Sequence, residues 1–189
     1  MRKIVGFKIN LRSREVERRA KKAKVSLPEC GLDEAALELL LDKTARAALP
    51  AVLFDTFPHS DPDQPQLSPL RGLAYSAVLG TLGQAFEEFA AKSLESRPEQ
   101  APVWPIIREV GLEECVRFAA SIIEDEAIKE SCELSPISKL TEPAALELSV
   151  KKLEGSKIGV SFAEGALAPQ GSCAVSLSWM AKAKAKGKK

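Results

Sequence analysis

From Ser172 to Trp179 the chain alternates without a break, with Cys173, Val175, Leu177 and Trp179 at one parity and Ser172, Ala174, Ser176 and Ser178 at the other. A period of two belongs to a β-strand, whose successive side chains leave opposite faces. The chain therefore carries, near its C-terminal end, a strand with one large apolar face and one face of small side chains. Any fold for this sequence must supply a sheet around that strand and an apolar partner for its larger face.

Other segments follow the helical period. Arg14–Lys24 places Val16, Ala20 and Ala23 on one narrow stripe of an otherwise charged surface. Asp33 is an N-cap for a helix over Glu34–Leu49, with Ala36, Leu39, Leu40 and Ala47 as its buried face and Pro50 at its end. Gln84–Leu94 groups Phe86, Phe89, Ala90 and Leu94. Ile106–Asp125 groups Leu112, Cys115, Phe118, Ala119 and Ile122. Thr141 and Pro143 start a helix containing Ala145, Leu146, Leu148 and Leu153, which Gly155 ends. Further strands are expected at Lys3–Ile9, Ala51–Phe57, Leu73–Thr81, Ile128–Leu134 and Lys157–Phe162, and an exposed loop at Pro58–Pro69. Helices mixed with short, separated strands predict an α+β fold with a mixed or antiparallel sheet. The organisation expected is an N-terminal strand and basic helix over 1–31, an α+β domain over 32–180 and a disordered basic tail over 181–189.

Composition narrows the function more than it names it. The 189 residues are 45% hydrophobic with a net charge of +1, so the molecule as a whole has no electrostatic bias toward nucleic acid or membrane. No stretch approaches the roughly 20 apolar residues that span a bilayer, and the N-terminus lacks the run and cleavage site of a signal peptide. Cys30, Cys115, Cys132 and Cys173 form no CxxC pair. Free thiols in a reducing cytoplasm are expected. His59, the one histidine, lies in the Pro-rich loop without an adjacent nucleophile. Glu124, Asp125 and Glu126 are consecutive on a helix, so their carboxylates diverge and do not converge on a cation. Gly80-Thr81-Leu82-Gly83 lacks the lysine of a phosphate loop and reads as a tight strand-to-helix turn.

Several strings occur in a telling order: Leu79-Gly80-Thr81-Leu82-Gly83 before a helix carrying Glu87 and Glu88, Val110-Gly111 in the next long helix, Ser135-Pro136, and Ile158-Gly159-Val160 through Pro169-Gln170-Gly171-Ser172 to Ala174-Val175. Together they resemble the activation domain of vitamin B12-dependent methionine synthase and its stand-alone relatives. The resemblance implies an activation-domain-like fold closed by a hairpin over 158–175. It also implies a non-catalytic module that works with cobalamin held by a partner, docking on a corrinoid protein or its reductase.

In that family an Arg-x-x-Pro-Gly-Tyr segment grips S-adenosylmethionine, the guanidinium pairing with its carboxylate. The matching residues here are Glu133, Ser135, Pro136, Ile137 and Ser138, which the resemblance marks as the ligand-binding segment. Glu133 stands where positive charge is wanted, and Ile137 and Ser138 replace Gly and Tyr. S-adenosylmethionine held in the family's usual way is therefore not expected, and no covalently bound cofactor is. The alternative is a nucleic-acid or polyanion-binding protein acting through Arg14–Lys24 and Lys182–Lys189. Against nucleic acid, Tyr75, Trp104 and Trp179 lie outside those basic segments and offer no stacking platform beside them.

Overall fold

The computed structural model describes residues 1–182. In chain order the elements are β1 (Arg2–Val5), α1 (Ser13–Lys22), α2 (Glu34–Ala47), β2 (Ala51–Pro58), α3 (Gln64–Leu67), β3 (Ala74–Thr81), α4 (Gln84–Ser96), a 3-10 turn (Pro98–Gln100) and α5 (Trp104–Lys129). Then come β4 (Cys132–Leu134), β5 (Ser138–Lys139), α6 (Pro143–Lys152), a second 3-10 turn (Gly155–Ile158), β6 (Ser161–Ala163), β7 (Ala166–Ala168) and β8 (Ser172–Ala181).

The main sheet runs β1-β2-β3-β8-β4, with β5 also pairing β8, and every pairing is antiparallel. The fold is thus α+β, and of the two sheet types expected it is the antiparallel one. The central strands are covered on both faces. Val52, Phe54, Val78, Val175, Leu177 and Trp179 look into the larger core with α5, and Leu53, Tyr75, Ala77, Leu79 and Ala174 into a smaller one closed by Leu67 and Leu153. The alternation of β8 is realised as read, although its hydroxyl face is buried as well: Ser176 and Ser178 are 1% and 2% exposed. Each hydroxyl must then find a partner. Ser178 Oγ donates to the Leu70 carbonyl at 2.6 Å. On the opposite face, Trp179 Nε1 donates to Ser76 Oγ at 2.8 Å.

The long helix α5 approaches the sheet where side chains are small. A Cβ on Gly80 would sit 3.5 Å from Cys115 Cβ, and one on Gly111 only 3.0 Å from a Leu82 methyl. Leu82 belongs to the turn between β3 and α4, which Thr81 organises. Its Oγ1 donates to the Gly171 carbonyl at 3.1 Å and accepts from the Gly83 amide at 3.1 Å and from Ser172 Oγ at 3.0 Å. Gly83 has φ 82 and ψ 162, a region essentially closed to other residues. The N-terminal segment belongs to the same core: β1 pairs with β2, and Val16 and Ala20 of α1 are buried.

Several expectations are corrected. The first strand stops at Val5 because Gly6 turns the chain at φ 70, though Phe7 still stacks on Phe118 at 4.1 Å. Ala23 is exposed. Asp33 does cap α2, accepting from the Ala36 amide at 2.8 Å. That helix buries Leu37, Leu40, Leu41 and Thr44, while Leu39 is 54% exposed. Pro58–Pro69 holds α3, whose Gln64 and Leu67 are buried, and its Asp61 and Asp63 are clamped by Lys152 Nζ at 2.9 and 2.6 Å. The helix α5 runs on through Glu124–Glu126 to Lys129, shortening the expected strand to Cys132–Leu134. Lys157–Phe162 is a 3-10 turn followed by the left-handed Gly159 and the start of β6. The hairpin in this region is β6–β7, a separate two-stranded sheet that does not pair with β8. Of the expected basic tail, Ala181 ends β8, and residues 183–189 lie outside the described residues.

Two alanine substitutions compare a crowded, strongly restricted glycine with an open left-handed one. Gly83→Ala meets both strain and steric conflict, because its Cβ would lie 2.8 Å from the Leu49 carbonyl oxygen. Gly159→Ala, at φ 72 with open space around it, meets strain alone. Urea unfolding should show a loss of about 1 kcal/mol for Gly159→Ala and about 2–3 kcal/mol for Gly83→Ala. Equal losses would show that neither the Leu49 contact nor the more restricted backbone at Gly83 adds to the cost.

Candidate ligand-binding cleft

β8 is fully flanked by β3 on one side and only partly on the other. There β4 pairs with Trp179–Ala181 and β5 with Val175 and Ser176, and the Leu140 amide adds a bond to the Ala174 carbonyl at 3.0 Å. Beyond that point the edge opens into a cleft of about 600 Å3, a volume in the range of small-molecule sites. Leu112 and Val116 of α5 form one wall. Ile137, Leu140, Leu146 of α6, Leu167 of β7 and Cys173–Val175 of β8 complete the lining. Polar groups stand around this apolar interior: Glu109, Glu113 and Arg117 from α5, then Lys139, Thr141, Gln170 and Ser172.

Glu109 and Glu113 are one helical turn apart, a like-charge spacing that destabilises a helix unless cations intervene. Arg19 supplies one, bonding Glu109 at 3.1 Å, Glu113 at 2.5 Å and Glu15 at 2.6 Å. Lys139 supplies another, 3.3 Å from Glu109 and 3.9 Å from Glu113. Burial works to raise the Glu109 carboxyl, but the Lys139 hydrogen bond and the Arg19 charge outweigh it and hold it below its ordinary value. Hydrogen bonds from Arg18, then Arg19, hold Glu15 at about 2. Glu109 and Glu15 thus stay ionised at neutral pH. Because both values are depressed, whatever these two carboxylates contribute is present above the usual carboxylate range and is lost as pH falls through their lowered values. Lys139 and Glu109 are more than half exposed, so their pairing is weak and open to exchange with a charged ligand.

The segment marked in the sequence runs along the edge of β8. Glu133 lies in β4 opposite Met180 and faces solvent. Ser135 bonds Ser178 twice, its amide donating to the Ser178 carbonyl at 2.8 Å and its Oγ accepting from the Ser178 amide at 2.9 Å. Pro136 interrupts the edge between β4 and β5, and Ser138 pairs with Ser176. Of the five residues only Ile137, 44% exposed, lines the cleft. Sequence reasoning missed Lys139, Leu140 and Thr141, immediately downstream, and the rim on α5. The available signal was the Glu109/Glu113 pair, unexplained on a helix that otherwise looked like core.

Cys173 is the thiol that lines the cleft; it is partly buried, and desolvation pushes it up to about 12. The other three cysteines are buried and, like Cys173, unpaired. Among the described residues no group of three or more His, Cys, Asp or Glu is arranged to hold a metal ion, and no helix is long and apolar enough to cross a membrane.

No protein-family model matches the chain, and no curated protein matches it by sequence. Among solved structures, the fold is similar to the crystal structure of the MetH reactivation domain bound to AdoHcy. The TM-score is 0.53 at 12% identity, covering 98% of this chain and 80% of that one. The activation-domain-like fold expected from the ordered strings is therefore observed, and likeness at this identity speaks of fold alone.

Alkylation by iodoacetamide at pH 8 should be roughly a thousandfold slower for native Cys173 than for a free thiol, given the thiolate fractions involved. The rate should climb through pH 9–11 without levelling. A plateau near pH 8.5, followed by peptide mapping to Cys173, would contradict the burial described.

Proposed function

We propose that this chain is a non-catalytic binding module of the activation-domain type, working in the cytoplasm and docking on a corrinoid protein or its reductase. The observation that carries the reading is a fold likeness spanning nearly the whole chain. The apolar cleft beside the segment that the family uses for its ligand gives the module something to hold. An S-adenosylmethionine-related molecule fits its chemistry, in a manner suited to this chain. Leu112, Val116, Leu140 and Leu146 would cover the adenosyl body, and the open edge of β8 offers backbone groups to its base. The rim ions would take the zwitterionic amino-acid end, with Lys139 or Arg117 for the carboxylate and Glu109 or Glu113 for the ammonium group. Cobalamin would arrive on the partner.

The polyanion reading keeps Arg14, Lys21 and Lys22, which are exposed and make no ion pair among the described residues. It loses Arg18 and Arg19, which are committed to Glu15 and Glu113. It would show as binding to heparin or duplex DNA that falls steeply with salt; salt-independent binding, or none, removes it.

Thermal unfolding with S-adenosylmethionine and, separately, with a corrinoid-loaded partner tests the main reading. A ligand at about 100 times its Kd adds about 2.7 kcal/mol to apparent stability, hence a rise of several degrees. Leu112→Arg should abolish the S-adenosylmethionine response by filling the cleft. No shift with either addition defeats the proposal.

A further inference from the structure

The helices α2 and α4 pack together and leave a second hollow of about 430 Å3 between them. Both helices turn a mixed stripe toward it. Ala36, Leu40 and Lys43 come from α2, and Phe89, Lys92 and Ser96 from α4, at spacings that share a helix face. Leu39, the leucine left exposed by the facing of α2, lies on its margin. Two features set this hollow apart from an ordinary seam between helices.

The first is charge. Lys43, Lys92 and Arg97 all line it, all are exposed, and none makes an ion pair among the described residues. No carboxylate lines it at all. The second is an unmet hydrogen bond. Gln100, in the 3-10 turn after α4, is 2% exposed and lines the hollow, yet its Oε1 has no partner. A buried acceptor left in that state is costly, and an occupant that supplies a donor removes the cost. Apolar walls, an excess of cations and an orphaned acceptor call for one kind of molecule.

We infer that the hollow between α2 and α4 is a binding site for a small anionic molecule with an apolar body and one hydrogen-bond donor. Its anionic group (carboxylate, sulfonate or phosphate) meets Lys92, Arg97 and Lys43. Its body lies on Leu40 and Phe89, and its donor satisfies Gln100. The site is separate from the cleft at β8, so it stands or falls independently of the reading given above.

The probe is 8-anilinonaphthalene-1-sulfonate, which combines an aromatic body, a sulfonate and an N–H. The full chain should bind it saturably, and the Gln100 side-chain amide resonances should move in step with the fluorescence. The double variant Lys92→Ala, Arg97→Ala changes only exposed positions and should weaken binding about tenfold. Gln100→Met should weaken it further without touching charge. The uncharged analogue N-phenyl-1-naphthylamine should bind at least about tenfold less well. The inference is overturned by absent saturable binding, by full affinity in the double variant, or by equal affinity for the uncharged analogue. It is also overturned if Leu112→Arg abolishes the signal, since the probe would then lie in the cleft.

Discussion

The pairing of β3 with β8 is the constraint on which the rest of this molecule hangs. Ala74 faces Trp179 at one end and Thr81 faces Ser172 at the other, an unbroken antiparallel register between strands that are distant in sequence. Both strands are buried on both faces, so a slip of one residue would exchange the large apolar side of β8 for its serine side throughout. Val175, Leu177 and Trp179 would then leave the larger core, at about 1.5–3 kcal/mol for each fully buried side chain. The register also places Gly80 opposite Cys173, which leaves room for α5 to come within contact of the sheet. Because β8 is late in the chain and central in the sheet, β4 and β5 have no edge to join until it arrives. Its closure must therefore precede the cleft.

Elements whose signals are local were legible in the sequence. The alternation of β8, the Asp33 cap and the Gly83 turn each depend on a few neighbouring residues and came out as read. The buried face of α2 did not, because Leu37, Leu39, Leu40 and Leu41 put apolar surface nearly all round the helix. Packing, not periodicity, decided which of them to leave outside. Lys157–Phe162 misled for a related reason. A short Ile-Gly-Val run suits a strand, a 3-10 turn or a buried coil, and Leu153 and Val160 are buried here without any ladder. The cleft is a still longer-range property. Its walls come from α5, α6, β7, β8 and the 137–141 segment, and no local pattern announces that Leu112 and Val116 face a hollow and not a packed neighbour.

The segment 133–138 shows how an edge strand can be interrupted and resumed beside β8. Pro136 has no amide hydrogen, so the ladder along the edge of β8 cannot continue through it. Ser135 compensates: its Oγ accepts the Ser178 amide where a strand carbonyl would otherwise stand, and donates in turn to the Pro136 carbonyl at 3.0 Å. The bulge this creates throws Ile137 outward and returns the chain to β8 at Ser138, which sets Lys139 and Leu140 along the mouth of the cleft. Glu133 faces solvent, and the Ser135 hydroxyl is engaged by the sheet. The charges sit on Glu109 and Glu113, which α5 sets one turn apart, and on Lys139 of β5, and Arg19 bonds both carboxylates. The charged rim of the cleft is thus shared between α5 and β5, while segment 133–138 contributes the apolar Ile137.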